Sequence, residues 1–133
     1  MSQANVSFVQ SMYAAFGQRE IATIVNACAP NVDWEMVGRP SDYPGFGARK
    51  GRKGVEEFFG TVADNLDFKE FSPKEFYPVE DKVFVLGSYA MDMRKTGRAF
   101  KSDWVHIFTI RDGQVVSFRE FTDTAQAAEA YRG

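Results

Sequence analysis

The hydrophobic period of this chain changes near residue 66, and that change does most to limit its fold. Before it, apolar residues recur mainly at helical spacing; after it, they alternate two by two. Val6, Phe8, Val9, Met12, Tyr13 and Phe16 form a stripe along one helical face, with Gly17 expected to close that helix. A second helix is predicted over Arg19–Ala29, built on Ile21, Ile24, Val25 and Cys28 and stopped by Pro30. A third runs over Gly54–Leu66 with Val55, Phe58, Phe59 and Val62 on one face. One strand interrupts this half, where Val32, Trp34 and Met36 alternate with acids. Between that strand and the third helix, Gly38–Gly54 holds five glycines and two prolines and reads as a long loop of the kind that often carries function.

Beyond residue 66 the segments Asp67–Pro78, Lys82–Arg94, Arg98–Arg111 and Gln114–Thr122 read as strands. Thr96-Gly97 and Asp112-Gly113 suit two-residue hairpins, because glycine tolerates the positive φ such turns require. A short helix over Thr124–Tyr131 follows, with Asp123 or Thr124 as its cap. The expected architecture is α+β, one domain over residues 1–133, with helices packed on one face of a mainly antiparallel sheet.

The hairpins assign side chains to faces. With Asp112-Gly113 as the loop, Phe108 pairs with Ser117, His106 with Arg119 and Trp104 with Phe121. With Thr96-Gly97 as the loop, Met93 meets Phe100, Met91 meets Ser102 and Tyr89 meets Trp104. One face then carries Tyr89, Met91, Met93, Phe100, Trp104, His106 and Phe108 beside Arg119 and Asp123. The other carries Val105, Ile107, Thr109, Val116 and Phe118 beside Glu120. A one-residue bulge would flip part of this map. The helices of one chain can cover only one of these apolar faces, so a homodimer is expected to bury the other.

Bulk properties narrow the partners. Of 133 residues, 44% are hydrophobic and 15% aromatic, enough for a core and a ring-lined pocket. The formal net charge of -2 offers no basic face for phosphate neutralisation, so no nucleic acid partner is expected. The basic run Arg49-Lys50-Gly51-Arg52-Lys53 is short and reads as a solvated loop. One cysteine, Cys28, excludes an internal disulfide and reads as buried structure. No apolar run approaches a membrane span, and the first residues lack the features of a signal peptide, so no membrane partner and a cytoplasmic location are expected. One histidine, one cysteine and scattered acids make no metal shell, and no glycine loop cradles a phosphate; no cofactor is expected.

The order of these parts, with Gly51-x-x-Gly54-Val55-x-x-Phe58-Phe59, Trp104-x-His106, Asp112-Gly113-x-Val115 and Arg119-x-Phe121-x-Asp123, resembles the SnoaL-like, ketosteroid-isomerase-related branch of the nuclear-transport-factor-2-like superfamily. The resemblance covers nearly the whole chain. It implies a cone-shaped roll: a curved, mainly antiparallel sheet wrapped around a long helix, with two further helices, enclosing a pocket. Dimers are usual in that superfamily. It also implies a small-molecule ligand or substrate and, for enzymes of the isomerase, cyclase and dehydratase types, proton abstraction beside a carbonyl.

Isomerase-type chemistry needs a carboxylate base near the end of the first strand, where this chain has Trp34 and Met36 facing inward and Glu35 with the wrong parity. An epoxide-hydrolase-type Asp-Arg-Asp arrangement lacks a second inward Asp. The remaining candidates are His106 or Asp123 as base and Arg119 as anion stabiliser, with Trp34, Tyr43, Phe59, Tyr89 and Trp104 as ligand-binding walls. Each has a plainer role: a hydrogen-bonded core histidine, a surface ion pair, a helix cap, core aromatics. Two functions therefore stand side by side, an enzyme acting on a largely apolar carbonyl compound and a non-catalytic module that binds a hydrophobic ligand.

Overall fold

The computed structural model describes residues 2–133. Its elements are α1 (Ser2–Gly17), α2 (Ile21–Ala27), β1 (Cys28–Met36), β2 (Gly47–Lys50), α3 (Gly51–Asn65), β3 (Leu66–Val79), β4 (Lys82–Met93), β5 (Ala99–Arg111), β6 (Gln114–Phe121) and α4 (Thr124–Arg132). The strands form one sheet in the order β2-β1-β6-β5-β4-β3. Every pairing is antiparallel except β1 with β6, which is parallel. The architecture is α+β, a curved sheet that remains open, with a core of residues contributed by helices and strands alike.

Curvature has visible causes. β3 carries two irregularities against β4, one between Phe68 and Glu70 and one between Pro73 and Glu75, and each bends the strand. Gly87 lies opposite Trp104, and a Cβ there would sit 2.4 Å from the indole and 2.5 Å from the Ser72 carbonyl. Only glycine lets the sheet fold that tightly over the indole. At the open edge, β3 exposes Lys69, Glu70, Lys74 and Glu75, charges that discourage pairing with another strand.

Several local expectations change. Gly17 stays helical, and the left-handed residue after α1 is Arg19 at φ 60°. α2 ends at Ala27, three residues before Pro30, which instead falls where the β1–β6 register breaks between Cys28 and Asp33. A strand tolerates proline at such a break. The long loop is shorter than Gly38–Gly54, because Gly47–Lys50 pairs with β1 as β2. Its basic run is engaged internally: Arg49 donates to the Gly45 and Pro44 carbonyls, Lys50 pairs with Asp33, and Arg52 donates to the Cys28 carbonyl.

The Asp112-Gly113 hairpin forms as expected, with φ of 51° and 73° and Arg111 paired to Gln114. The Thr96-Gly97 hairpin does not close in two residues. Met91 meets Phe100, Tyr89 meets Ser102 and Gly87 meets Trp104. This shift of two residues preserves every face assignment on β4, because side chains repeat with period two.

The consequential difference lies on β6. Thr109 pairs with Ser117 and Ile110 with Val115, so Val116 is an extra residue. The bulge flips the rest of the strand. Phe118 and Glu120 turn inward, and Arg119 turns out. His106 therefore faces Glu120, not Arg119.

Candidate functional site

Inside the roll lies a cavity that leaves about 80 Å³ for the centres of water-sized molecules and opens to solvent at one end. Its wall is almost wholly apolar and aromatic. From the helices come Met12, Tyr13, Phe16, Phe58 and Phe59; from the strands come Trp34, Met36, Phe68, Phe71, Tyr89, Met91 and Phe118. His106 and Glu120 are the two side chains in that wall, tyrosines aside, that can carry charge. Both are about 5% exposed.

The strand register sets these two groups. His106 sits on β5 directly across from Glu120, and its Nε2 lies 3.3 Å from Glu120 Oε1. The distance suits an ion pair, but the alignment does not make a hydrogen bond; among the described residues Nε2 has no hydrogen-bond partner. On the other side of the ring, the Tyr13 hydroxyl from α1 lies 2.8 Å from Nδ1. Burial first, and the Glu120 charge second, raise the Tyr13 hydroxyl far above the ordinary tyrosine range. That hydroxyl keeps its proton, and it can donate to Nδ1 or accept from it according to the imidazole tautomer. When Tyr13 donates, the proton of the neutral ring resides on Nε2, the nitrogen facing Glu120.

Glu120 has a second partner. Tyr89 donates to Oε2 at 2.7 Å, and the same hydroxyl lies 2.8 Å from Thr122 Oγ1. Burial, followed by the Glu120 charge, holds the Tyr89 hydroxyl well above its usual range, so it too remains a donor. The result is a chain of polar groups, Tyr13–His106–Glu120–Tyr89–Thr122, running through an aromatic shell. Its charge-bearing pair can accept a proton from a group held in the cavity and return it, the elementary act of general acid–base catalysis.

The candidate residues separate by location. His106, Trp34, Tyr43, Phe59 and Tyr89 line the cavity. Trp104 stands outside the lining: its indole stacks 3.8 Å from His106 and 5.3 Å from Phe71 and backs the histidine from behind. Arg119 lies on the outer face, where it donates to Glu35 Oε1 at 3.3 Å and covers the Phe121 ring. Parallel pairing of β1 with β6 puts Glu35 and Arg119 side by side, which explains the contact. Asp123 is exposed and caps α4, accepting from the Gln126 N–H at 3.1 Å, a bond that lowers its carboxyl below the ordinary aspartate range. Neither Arg119 nor Asp123 reaches the cavity, so neither shares the inner face with His106 as the unbulged register predicts.

Two residues of the observed chain were not expected there. Alternation from the hairpin puts Glu120 on the outer face, and only the Val116 bulge brings it in. Tyr13 belongs to the apolar stripe of α1 by spacing and by packing; nothing in helical spacing marks the one stripe residue that meets a histidine 93 positions away. Cys28 is buried, bonded to the Ile24 carbonyl, and its thiol is pushed up to about 11 by burial, which suits a structural role. Among the described residues no group of three or more His, Cys, Asp or Glu could hold a metal ion, and no helix is long and apolar enough to cross a membrane.

This roll, with its enclosed aromatic pocket, defines the nuclear-transport-factor-2-like class of proteins. The SnoaL-like domain family matches residues 9–118, and the chain belongs to that family. Solved structures agree. A nuclear-transport-factor-2-like protein of unknown function from Burkholderia pseudomallei is 26% identical over 97% of this chain and 98% of its own, with a TM-score of 0.88. Another, from Burkholderia xenovorans, is 27% identical over 98% of each chain, with a TM-score of 0.89. TerC, co-crystallised with polyporic acid, is 28% identical over 97% of this chain and 98% of its own, with a TM-score of 0.84. A search of curated proteins finds no match to the chain.

Proposed function

We propose that the cavity binds a small, largely apolar carbonyl compound and that the His106–Glu120 pair moves a proton at it, without a cofactor, in a reaction of the isomerase, cyclase or dehydratase type. The observation that carries this reading is the placement of a close acid–imidazole pair in an otherwise aromatic wall. A low-polarity wall strengthens any charge interaction at the reacting centre. Glu120 takes the place that Asp123 holds in the sequence reading, and Arg119 has no part in it. TerC's co-crystallisation with polyporic acid supports an organic ligand for a pocket of this shape. The apolar remainder of the wall favours a second reading, a binding module without chemistry.

Native mass spectrometry separates the two. The purified protein is incubated with polyporic acid and a panel of aromatic ketones. A product that differs in mass, or for an isomer of equal mass in chromatographic retention after release, and that disappears in Glu120→Gln and His106→Gln supports the enzyme. A ligand retained unchanged by all three proteins supports the binding module. Turnover that persists in both variants would sink the proposed mechanism.

We also propose a homodimer through the outer face of the sheet, where Val105, Ile107 and Val116 lie half-buried in the single chain. An isologous contact would cover this apolar patch. Phe118, once expected in that patch, points inward and stacks on Trp34 at 4.1 Å, so it takes no part. Sedimentation should give a dimer at micromolar concentration that Ile107→Asp dissociates; a folded monomer of the unmutated chain would remove the idea.

A further inference from the structure

Two polar atoms in the cavity wall are unexplained by the packing or by the proton-moving pair. The Tyr43 hydroxyl and the Trp34 Nε1–H are buried, and among the described residues neither has a hydrogen-bond partner. Tyr43 is 1% exposed and Trp34 is 3% exposed. A buried donor without an acceptor destabilises the fold, whereas phenylalanine would fill the Tyr43 site with the same ring and no orphaned group. Trp104 Nε1 is also unpartnered, but it lies outside the cavity lining and carries no argument about a ligand.

Tyr43 is also held in place. It sits in the loop between β1 and β2, where Arg49 donates to the carbonyls of both following residues, Pro44 and Gly45, at 3.0 Å each. Its ring meets Phe46 edge-on at 5.4 Å and Tyr131 of α4 at 5.7 Å. Gly45 leaves room for it: a Cβ there would fall 2.3 Å from the ring. Such a ring cannot swing away to satisfy its hydroxyl in solvent, so the hydroxyl is positioned for something that enters the cavity.

We propose that Tyr43 is a specificity-determining donor whose hydroxyl bonds a neutral carbonyl oxygen of the ligand. The inference rests on the reading that the cavity binds an apolar carbonyl compound, and it names the residue that recognises the oxygen. Burial, with the Glu120 charge second, raises the Tyr43 hydroxyl above its ordinary range, so it donates and does not accept as a phenolate. Glu120 close enough to act on that hydroxyl disfavours a second negative charge beside it, and Arg49 is already committed to backbone carbonyls. The oxygen is therefore a neutral ketone or aldehyde oxygen in preference to a carboxylate. Held there, a carbonyl has its carbon skeleton beside the His106–Glu120 pair, and the hydroxyl that binds it would also stabilise negative charge developing on that oxygen.

The test compares 2-acetylnaphthalene with 2-ethylnaphthalene, probes of similar shape of which one carries the oxygen. Both are titrated against the unmutated protein and Tyr43→Phe, following the quenching of intrinsic tryptophan fluorescence. The substitution should weaken the ketone about tenfold, the size of one hydrogen bond at a desolvated site, and leave the hydrocarbon unchanged or slightly tighter. The infrared carbonyl band of bound 2-acetylnaphthalene should lie at lower frequency in the unmutated complex than in Tyr43→Phe. A thermal melt of the ligand-free variant, expected at or above that of the unmutated protein, shows that the fold is intact. If the ratio of the two affinities and the carbonyl band are the same in both proteins, the role of Tyr43 is wrong and the pocket reading stands. If neither probe binds the unmutated protein up to its solubility, the pocket reading falls and takes this inference with it.

Discussion

Arg119 and Glu120 are neighbours on one strand and live in different solvents. Arg119 lies on the outer face, with 47% of its side chain exposed, and forms an ordinary surface pair with Glu35. Glu120 is buried in an aromatic wall between His106 and Tyr89. The residue types alone favour the opposite arrangement, because the long arginine stem can lie along apolar surface and its charge fits an anionic substrate. What separates them is Val116, one extra residue earlier in β6, which decides the parity of everything after it. The chemistry of this site thus depends on a backbone irregularity with no catalytic group of its own.

The largest effect should come from exchanging the two residues. Arg119→Glu combined with Glu120→Arg would set an arginine opposite His106 in the aromatic wall, a buried charge without its partner. The expected outcome is loss of the cooperative folding transition in a thermal melt followed by circular dichroism. A double variant that melts like the unmutated protein would show that the wall does not distinguish the two charges.

Glu120→Ala tests the inner member directly. It leaves the Tyr89 hydroxyl with Thr122 alone and removes the group facing His106. A urea titration should show a loss of about 3 kcal/mol, typical of breaking a buried polar cluster from one side. Gain of stability would mean that burial of the carboxylate costs more than its partners return.

The tyrosines around the inner cluster give the comparison a pH signature. Tyr13, Tyr43 and Tyr89 are all raised above the ordinary value by burial first, and by the Glu120 charge second. Unfolded tyrosine ionises near pH 10. Above that pH the unfolded chain has lost protons that the folded chain retains. The stability these groups contribute is therefore full below about pH 10 and falls as pH rises, by about 1.4 kcal/mol per pH unit for each tyrosine. Urea midpoints measured upward from about pH 9 should show this fall, and Tyr89→Phe should flatten it.

Arg119→Ala should have the smallest effect. Exposed pairs contribute about 0–1 kcal/mol, and screening reduces that further in salt. The change in urea midpoint should stay within that range and shrink further at about 1 M salt, and any turnover should survive. Abolished turnover with an intact fold would restore Arg119 to the site.

Much of this was legible along the chain. Period-two alternation placed Tyr89, Met91, Met93, Phe100, His106 and Phe108 on one face, and a two-residue error in the β4–β5 hairpin did no harm to that assignment. His106, Trp34, Tyr43, Phe59 and Tyr89 were singled out from sequence and do line the cavity. Helical spacing found α1 and α3, because their apolar stripes extend over several turns. Asp112-Gly113 fixed its hairpin through the positive φ that both residues adopt.

What remained hidden depends on spacing of a different kind. A single-residue bulge leaves no mark in composition or period, since Val116 is as good a strand residue as its neighbours, yet it reverses the faces of Arg119 and Glu120. The meeting of Tyr13 with His106 needs α1 laid against β5, a contact set by packing across 93 residues of chain. The orphaned hydroxyl of Tyr43 is likewise a property of the assembled cavity, because a hydrogen bond that is missing can be recognised only when every neighbour is in place. Local pattern determined which faces are apolar, because that depends on neighbours two to four positions away. Which charged group lies inside was decided by tertiary structure, because it depends on the register between strands.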